Sequence, residues 1–245
     1  MKHKQKEKQK RPSARLQTNA MQKSVSSKRI DYRKPDKQIK KQEFLIIGLI
    51  GLITFISFFP ALKCDFTNFD DQYYVLNNPD IQSLSFKNIF KLFSSFFLAN
   101  YQPVTILSYA IDFKISGLSP GMYHFTNVII HIVNTALVFM LFRRLGSPII
   151  VAASVSLLFG VHPLHVESVA WISERKDVLY AFFYLSGLTA YLKYNDRKHI
   201  RFYFYALIFF VLSCLSKAMA VSFPLILILL DYFQRKKINT NALMN

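Results

Sequence analysis

Residues 162–177 read HPLHVESVAWISERKD, two His, two Glu, an Arg, a Lys and an Asp set between the strongly apolar runs 148–161 and 178–194. Ionisable groups at the edge of an apolar span are costly to place and need a reason to be there. Apolar runs of spanning or near-spanning length recur at 44–62, 125–142, 148–161, 178–194, 202–216 and 218–233. The simplest count is six spans in an all-α, polytopic membrane helical bundle. Several runs fall short of the ~20 residues a helix needs to cross the hydrocarbon, so they must borrow flanking aromatic and polar residues. A second polar cluster, NFDDQYYVLNNP at 68–79, follows the first run.

Composition agrees with a membrane protein and excludes an ordinary soluble domain. The chain has 245 residues, 52% of them hydrophobic, yet carries a net charge of +17. The two properties are segregated: residues 1–43 hold fifteen Lys/Arg against four Asp/Glu, a net +11, with almost no large apolar side chains. Such a tail cannot offset its conformational entropy by burial and is expected to be disordered. Attraction to anionic lipid or to nucleic acid is one reading of it, and a solvated topology anchor is the other. The anchor is favoured over a nucleic-acid partner, because only Tyr32 interleaves the charges as a stacking platform would require. No small-residue cleavage site follows the run 44–60, so that run is expected to stay as a membrane anchor. Cys64 and Cys214 have neither CxxC spacing nor nearby His, which speaks against a disulfide framework or a zinc site.

Lys/Arg bias orients the bundle. With the tail on the cytoplasmic side, the inner loops contain Arg143 and Arg144, then Lys193, Arg197, Lys198 and Arg201, then Arg235, Lys236 and Lys237, as the positive-inside rule requires. The outer face then receives residues 63–124, the 162–177 connection and the tight turn at Lys217. In the first of these, LSFKNIFKLFSSFF spaces Leu84, Phe86, Ile89, Phe90, Phe93, Phe96 and Phe97 largely at helical intervals, with Ser85 able to cap the start. This predicts a helix that either lies in the membrane interface or packs on the bundle. A second short helix is expected from Pro103 to Ile115, ahead of a turn at GLSPG, 117–121. The domains so defined are a tail at 1–43, a membrane domain at 44–237 and a short polar tail at 238–245.

The outer face holds the candidate chemistry. Asp70 and Asp71 are adjacent carboxylates whose mutual repulsion and low-dielectric surroundings favour a raised pKa, suited to a general base. The alternative is a loop capped by carboxylates bonding backbone amides. Arg175 and Lys176 sit at the mouth of a span, where they can hold a phosphate, pair with Glu174 and Asp177, or snorkel to headgroups. Lys217, the lone charge between two apolar runs, is a second phosphate candidate, with snorkelling as its alternative. His162, His165 and Glu167 form H-x-x-H-x-E, which would gather a divalent cation if helical. Pro163 favours an extended loop instead, so hydrogen bonding to acceptor or phosphate is preferred and no metal is assigned. His124 and His131, with Asn127 and Asn134 on one helix face, read as satisfied packing residues.

Five ordered stretches, FDDQYYVLNNPDIQSLS (69–85), YQPVTILSYAIDF (101–113), YHFTNVIIHIVNTALVFMLFRRLG (123–146), FGVHPLHVESVAWISERKDVL (159–179) and LSKAMAVSFPLILILLDY (215–232), together resemble the transmembrane and tetratricopeptide-repeat O-mannosyltransferase-like family. The resemblance implies the N-terminal membrane part of a C-type glycosyltransferase. Such an enzyme moves a sugar, mannose or another hexose, from a polyprenyl-phosphate carrier to a protein hydroxyl on the outer or luminal face. It aligns Asp70 and Asp71 with the family's acidic pair; beside it, the residues themselves offer Arg175, Lys176 and Lys217 for donor-phosphate binding and His162, His165, Glu167, Glu174, Asp177 and Gln102 for substrate contacts. Gln102 stands where an Arg is expected before Pro. The chain ends soon after the sixth run, where family members carry further helices and repeats, so a second chain supplying them is an expected partner beside lipid, donor and acceptor. A non-enzymatic subunit binding lipid-linked sugar is the alternative. The expected location is a prokaryotic cell membrane, or the endoplasmic reticulum if eukaryotic.

Overall fold

The computed structural model describes residues 41–234, and every described element is helical. The basic tail before residue 41 and the polar tail at 238–245 lie outside the described residues. In chain order the helices are α1 (Lys41–Phe58), α2 (Phe86–Ser94), α3 (Pro103–Ser116), α4 (Pro120–Arg144), α5 (Ile149–Val161), α6 (His165–Ala170), α7 (Arg175–Arg197), α8 (Ile200–Cys214) and α9 (Phe223–Phe233), with short turns of helix between some of them.

Local chemistry sets these boundaries. The hydroxyl of Ser85 accepts from the Asn88 N–H and caps α2, as the sequence predicts. Pro103 and Pro120 occupy first-turn positions of α3 and α4, where a missing N–H costs nothing. Between them Gly117 takes φ +61°, a conformation that would strain a side chain. α7 ends on Lys198 in the left-handed region, its N–H donating to the Tyr194 carbonyl at 2.7 Å.

α4 is the central helix: α1, α5 and α7 all pack on it, and α8 runs along α7. Small and polar side chains let the backbones approach. A Cβ at Gly160 would overlap Thr54 Oγ1 and sit 3.0 Å from Thr135 Cγ2. Ser156 Oγ donates to the Thr135 carbonyl at 2.7 Å, and His131 Nε2 pairs with the Gly160 carbonyl at 3.0 Å. Asn134 Nδ2 donates to the Val178 carbonyl at 2.8 Å.

Beside its hydrophobic clusters the bundle buries many polar groups and exposes many large apolar ones. Asn127, His131, Asn134, Thr135, Ser156 and Arg175 are buried, while Leu45, Ile56, Ile150, Leu158, Phe204 and Leu225 are exposed. Apolar exterior over polar, hydrogen-bonded interior is the arrangement a bilayer favours. Residues 41–63 and 120–144 form two helices long and apolar enough to cross a membrane, and the apolar helices at 149–161, 200–214 and 218–233 are shorter. α2 packs on the fold as in the second expected reading. It buries Leu92 in the fold and presents Phe86, 87% exposed, and Phe90, 68% exposed, on its other side.

Candidate functional site

The loop 64–102, the connection 162–174 and the turn at Lys217 meet at one end of the bundle, and hydrogen bonds from α3 to backbone carbonyls hold them there. The Val104 N–H donates to the Leu215 carbonyl at 3.2 Å and Thr105 Oγ1 to the Ser216 carbonyl at 3.1 Å. Tyr109 Oη donates to the Ile172 carbonyl at 3.0 Å.

The two aspartates separate into different roles. Asp71 is fully buried. Its Oδ2 accepts from the N–H and hydroxyl of Thr67 at 2.9 and 3.0 Å, and its Oδ1 from the N–H of Ser173 at 2.9 Å and from the Ser173 hydroxyl. With every lone-pair direction occupied by donors, Asp71 is a staple between the two connections, as in the capped-loop reading. Asp70 is only partly buried, and its carboxylate carries no hydrogen bond from the described residues. It lies close enough to Lys176 to contribute to that lysine's raised pKa.

Around Asp70 runs a network of alternating charge. Lys176 Nζ is 2.7 Å from Glu174 Oε1, Glu174 Oε2 is 4.0 Å from Lys217 Nζ, and Lys217 in turn pairs with Asp177 Oδ1. Ser168 Oγ donates to Asp177 Oδ2 at 3.1 Å, and Lys176 Nζ lies 5.5 Å from the Tyr74 ring centroid. Burial opposes the charge on Lys176, but the hydrogen bond and charge of Glu174 outweigh it and raise its pKa. Burial and the neighbouring His162 lower the pKa of His165, against the attraction of Asp177. The structure thus brings together Asp70, His165, Glu174, Lys176, Asp177 and Lys217.

Four of the candidate ligands stand apart. Arg175, for which the sequence offers phosphate binding, pairing with Glu174 or Asp177, or snorkelling, has no exposed side-chain area. Its Nη1 is 2.6 Å from Asp112 Oδ2, its Nε donates to Asn127 Oδ1 at 2.7 Å and its Nη2 to the Tyr123 carbonyl at 2.9 Å. The guanidinium carbon lies 4.6 and 5.5 Å from the ring centroids of Tyr109 and Tyr123. α7 begins at Arg175, so the first residue points into the bundle and Lys176, one position on, points to the network. Burial holds the Asp112 pKa above the ordinary carboxylate value despite this arginine. Gln102 is also buried, at the start of α3, with Nε2 unpartnered. His162 and Glu167 are exposed.

The expected extended loop after Pro163 is instead the short helix His165–Ala170. The proline sits before the first turn, where it obstructs no helical hydrogen bond. In that helix residues two apart point to opposite sides, so His165 and Glu167 share no face. No group of three or more metal-ligating side chains occurs among the described residues.

Sequence reasoning missed Asp112 and its cage. The signal was present in YAIDF, a lone carboxylate on an otherwise apolar helix, which demands a buried cation as partner.

The chain is 30% identical over 216 residues to a protein O-mannosyl-transferase of Caenorhabditis elegans, 80% of this chain and 29% of that protein. It is 30% identical over 178 residues to the protein O-mannosyl-transferase Tmtc1 of Drosophila melanogaster, 69% of this chain and 20% of that protein. It is 29% identical over 153 residues to the protein O-mannosyl-transferase TMTC3 of Homo sapiens, 59% of this chain and 16% of that protein. The chain spans less than a third of the length of these curated relatives. No family model and no solved structure matches it.

Proposed function

The chain belongs to the transmembrane and tetratricopeptide-repeat O-mannosyltransferase-like family, and from that premise we propose that it is the membrane part of a protein glycosyltransferase working at the Lys176 network. The donor is a polyprenyl-phosphate sugar, mannose or another hexose, and the acceptor a protein hydroxyl. The reaction belongs to the outer or luminal face of a cell or endoplasmic reticulum membrane that the chain crosses about six times, with its N-terminus cytoplasmic. A C-type architecture and a second chain bearing further helices or repeats belong to the same reading.

The observation that carries the proposal is Asp70, a partly buried carboxylate that no described residue hydrogen-bonds and that acts on the charge of Lys176. A general base must be free to take a proton, which Asp71 with its four donors is not. In the transfer, Asp70 takes the acceptor hydroxyl proton as the oxygen attacks the anomeric carbon. The carbon–oxygen bond to the carrier phosphate breaks with inversion, and the phosphate leaves with the electron pair. Lys176 and Lys217 stabilise that departing charge. At rest both are held by Glu174 and Asp177, so the donor phosphate displaces a carboxylate to bind. The runner-up reading, a non-enzymatic or partner-dependent subunit that binds lipid-linked sugar, is favoured by this same neutralisation of both lysines.

The test is transfer of labelled mannose from polyprenyl-phosphate mannose to a protein acceptor by the full chain. Asp70→Asn is expected to reduce transfer at least a hundredfold, the lower range for loss of a general base, with the fluorescence of Trp171 unchanged. Asp71→Asn is expected to lower transfer and shift that fluorescence together. Normal turnover by the Asp70→Asn variant would remove Asp70 as base, and donor binding without transfer by the unmodified chain would favour the subunit reading.

A further inference from the structure

The end of α7 remote from Lys176 carries a second cluster that the transfer reaction does not use. Lys193 Nζ lies 4.4 Å from the centroid of the Phe202 ring, and the guanidinium carbons of Arg201 and Arg197 lie 5.0 and 6.0 Å from it. Three cations around one buried ring are drawn by its negative faces, but they repel one another. Arg144, from the end of α4, adds a fourth charge, and Asp196 is its partner at 3.7 Å, with 48% of its side chain exposed. Asp231, the next carboxylate, is occupied by Tyr191 Oη at 2.7 Å and Asn195 Nδ2 at 3.2 Å. Among the described residues, Asp196 is the carboxylate within ion-pair distance of this group of cations.

The backbone adds to this charge. α8 starts at Ile200 without a side-chain cap, its Phe202 N–H donating to the His199 carbonyl at 3.0 Å, and the positive end of its dipole lies beside Arg201 in its first turn. Lys176 and Arg197 are about 31 Å apart along α7 at 1.5 Å per residue. That matches a hydrocarbon core of ~30 Å and puts this cluster at the opposite headgroup level. Two guanidinium forks and an ammonium gathered on one ring at the helix ends suit the oxygens of a phosphate.

We propose that Lys193, Arg197 and Arg201, with Arg144 behind them, form a binding site for a phosphate group, such as that of an anionic lipid headgroup. The anion neutralises charges that the fold itself leaves in excess and ties the α7–α8 hairpin to the end of α4.

The experiment uses the full chain, tail included, in phosphatidylcholine nanodiscs with phosphatidic acid titrated in, and counts retained phosphatidic acid by native mass spectrometry. A parallel arm follows inorganic phosphate by phosphorus NMR in detergent. Arg197→Gln and Arg201→Gln are each expected to weaken retention about fivefold, the effect of one basic residue near a lipid surface. Asp196→Asn, which removes only an exposed carboxylate, is expected to strengthen it. Variant-sensitive phosphatidic acid identifies a headgroup site, and variant sensitivity confined to inorganic phosphate identifies a free-anion site. Either result supports the proposal. Equal retention by the parent and by arginine variants of unchanged helicity overturns it, as does the absence of any gain in Asp196→Asn.

Discussion

Arg175 and Lys176 are neighbours in sequence with the same charge, and the fold gives them opposite duties. Arg175 is sealed with Asp112, Asn127 and two tyrosine rings, whereas Lys176 joins the surface network. Removing one partner of a buried pair leaves the other charge stranded, at about 3–5 kcal/mol. Arg175→Met is therefore expected to destabilise the chain by about that much, and Arg175→Met combined with Asp112→Leu to recover most of the loss, measured by thermal unfolding in detergent. If the pair instead held donor phosphate, the double variant would be stable and blind to donor while Lys176→Gln would bind normally. The charges of this site were legible in the sequence, and so was the demand of Asp112 for a partner. Burial was not, because successive residues at a helix start project roughly 100° apart and nothing in ERKD says which of them meets the core.

Helix ends were the most legible feature at the scale of elements, since Ser85, Pro103, Gly117 and Pro120 each act through local backbone chemistry. α6 was missed because Pro163 was weighed as a breaker rather than as a residue preceding a first turn. The contact of α1, α4 and α5 depends on Gly160, where any Cβ meets Thr54 and Thr135. Gly160→Ala is expected to cost about 1–3 kcal/mol, the range for overpacking a filled core. Adding Thr54→Ala removes the closer obstruction and is expected to restore part of the loss, read as the midpoint of thermal unfolding. A Gly160→Ala variant as stable as the parent would mean that the three helices slide past one another freely.

For the whole molecule, apolar runs located every long helix, while the six-span count rests on helices that are individually short. Sidedness decides the matter. Exposed Cys64 and an engineered Lys198→Cys are expected to react with a membrane-impermeant thiol reagent from opposite sides of sealed vesicles, as an odd number of crossings between them requires. Labelling of both from one side would cancel the six-span topology. The Asp71 staple also carries a consequence for synthesis. Its bond to Ser173 joins residues 102 positions apart, so the ribosome must deliver Ser173 before the first loop can close on the connection. At translation rates of about 5–20 residues per second, that loop waits about 5–20 s with its carboxylate met by Thr67 alone, an interval in which chaperones and proteases reach it and the finished protein's ligands do not.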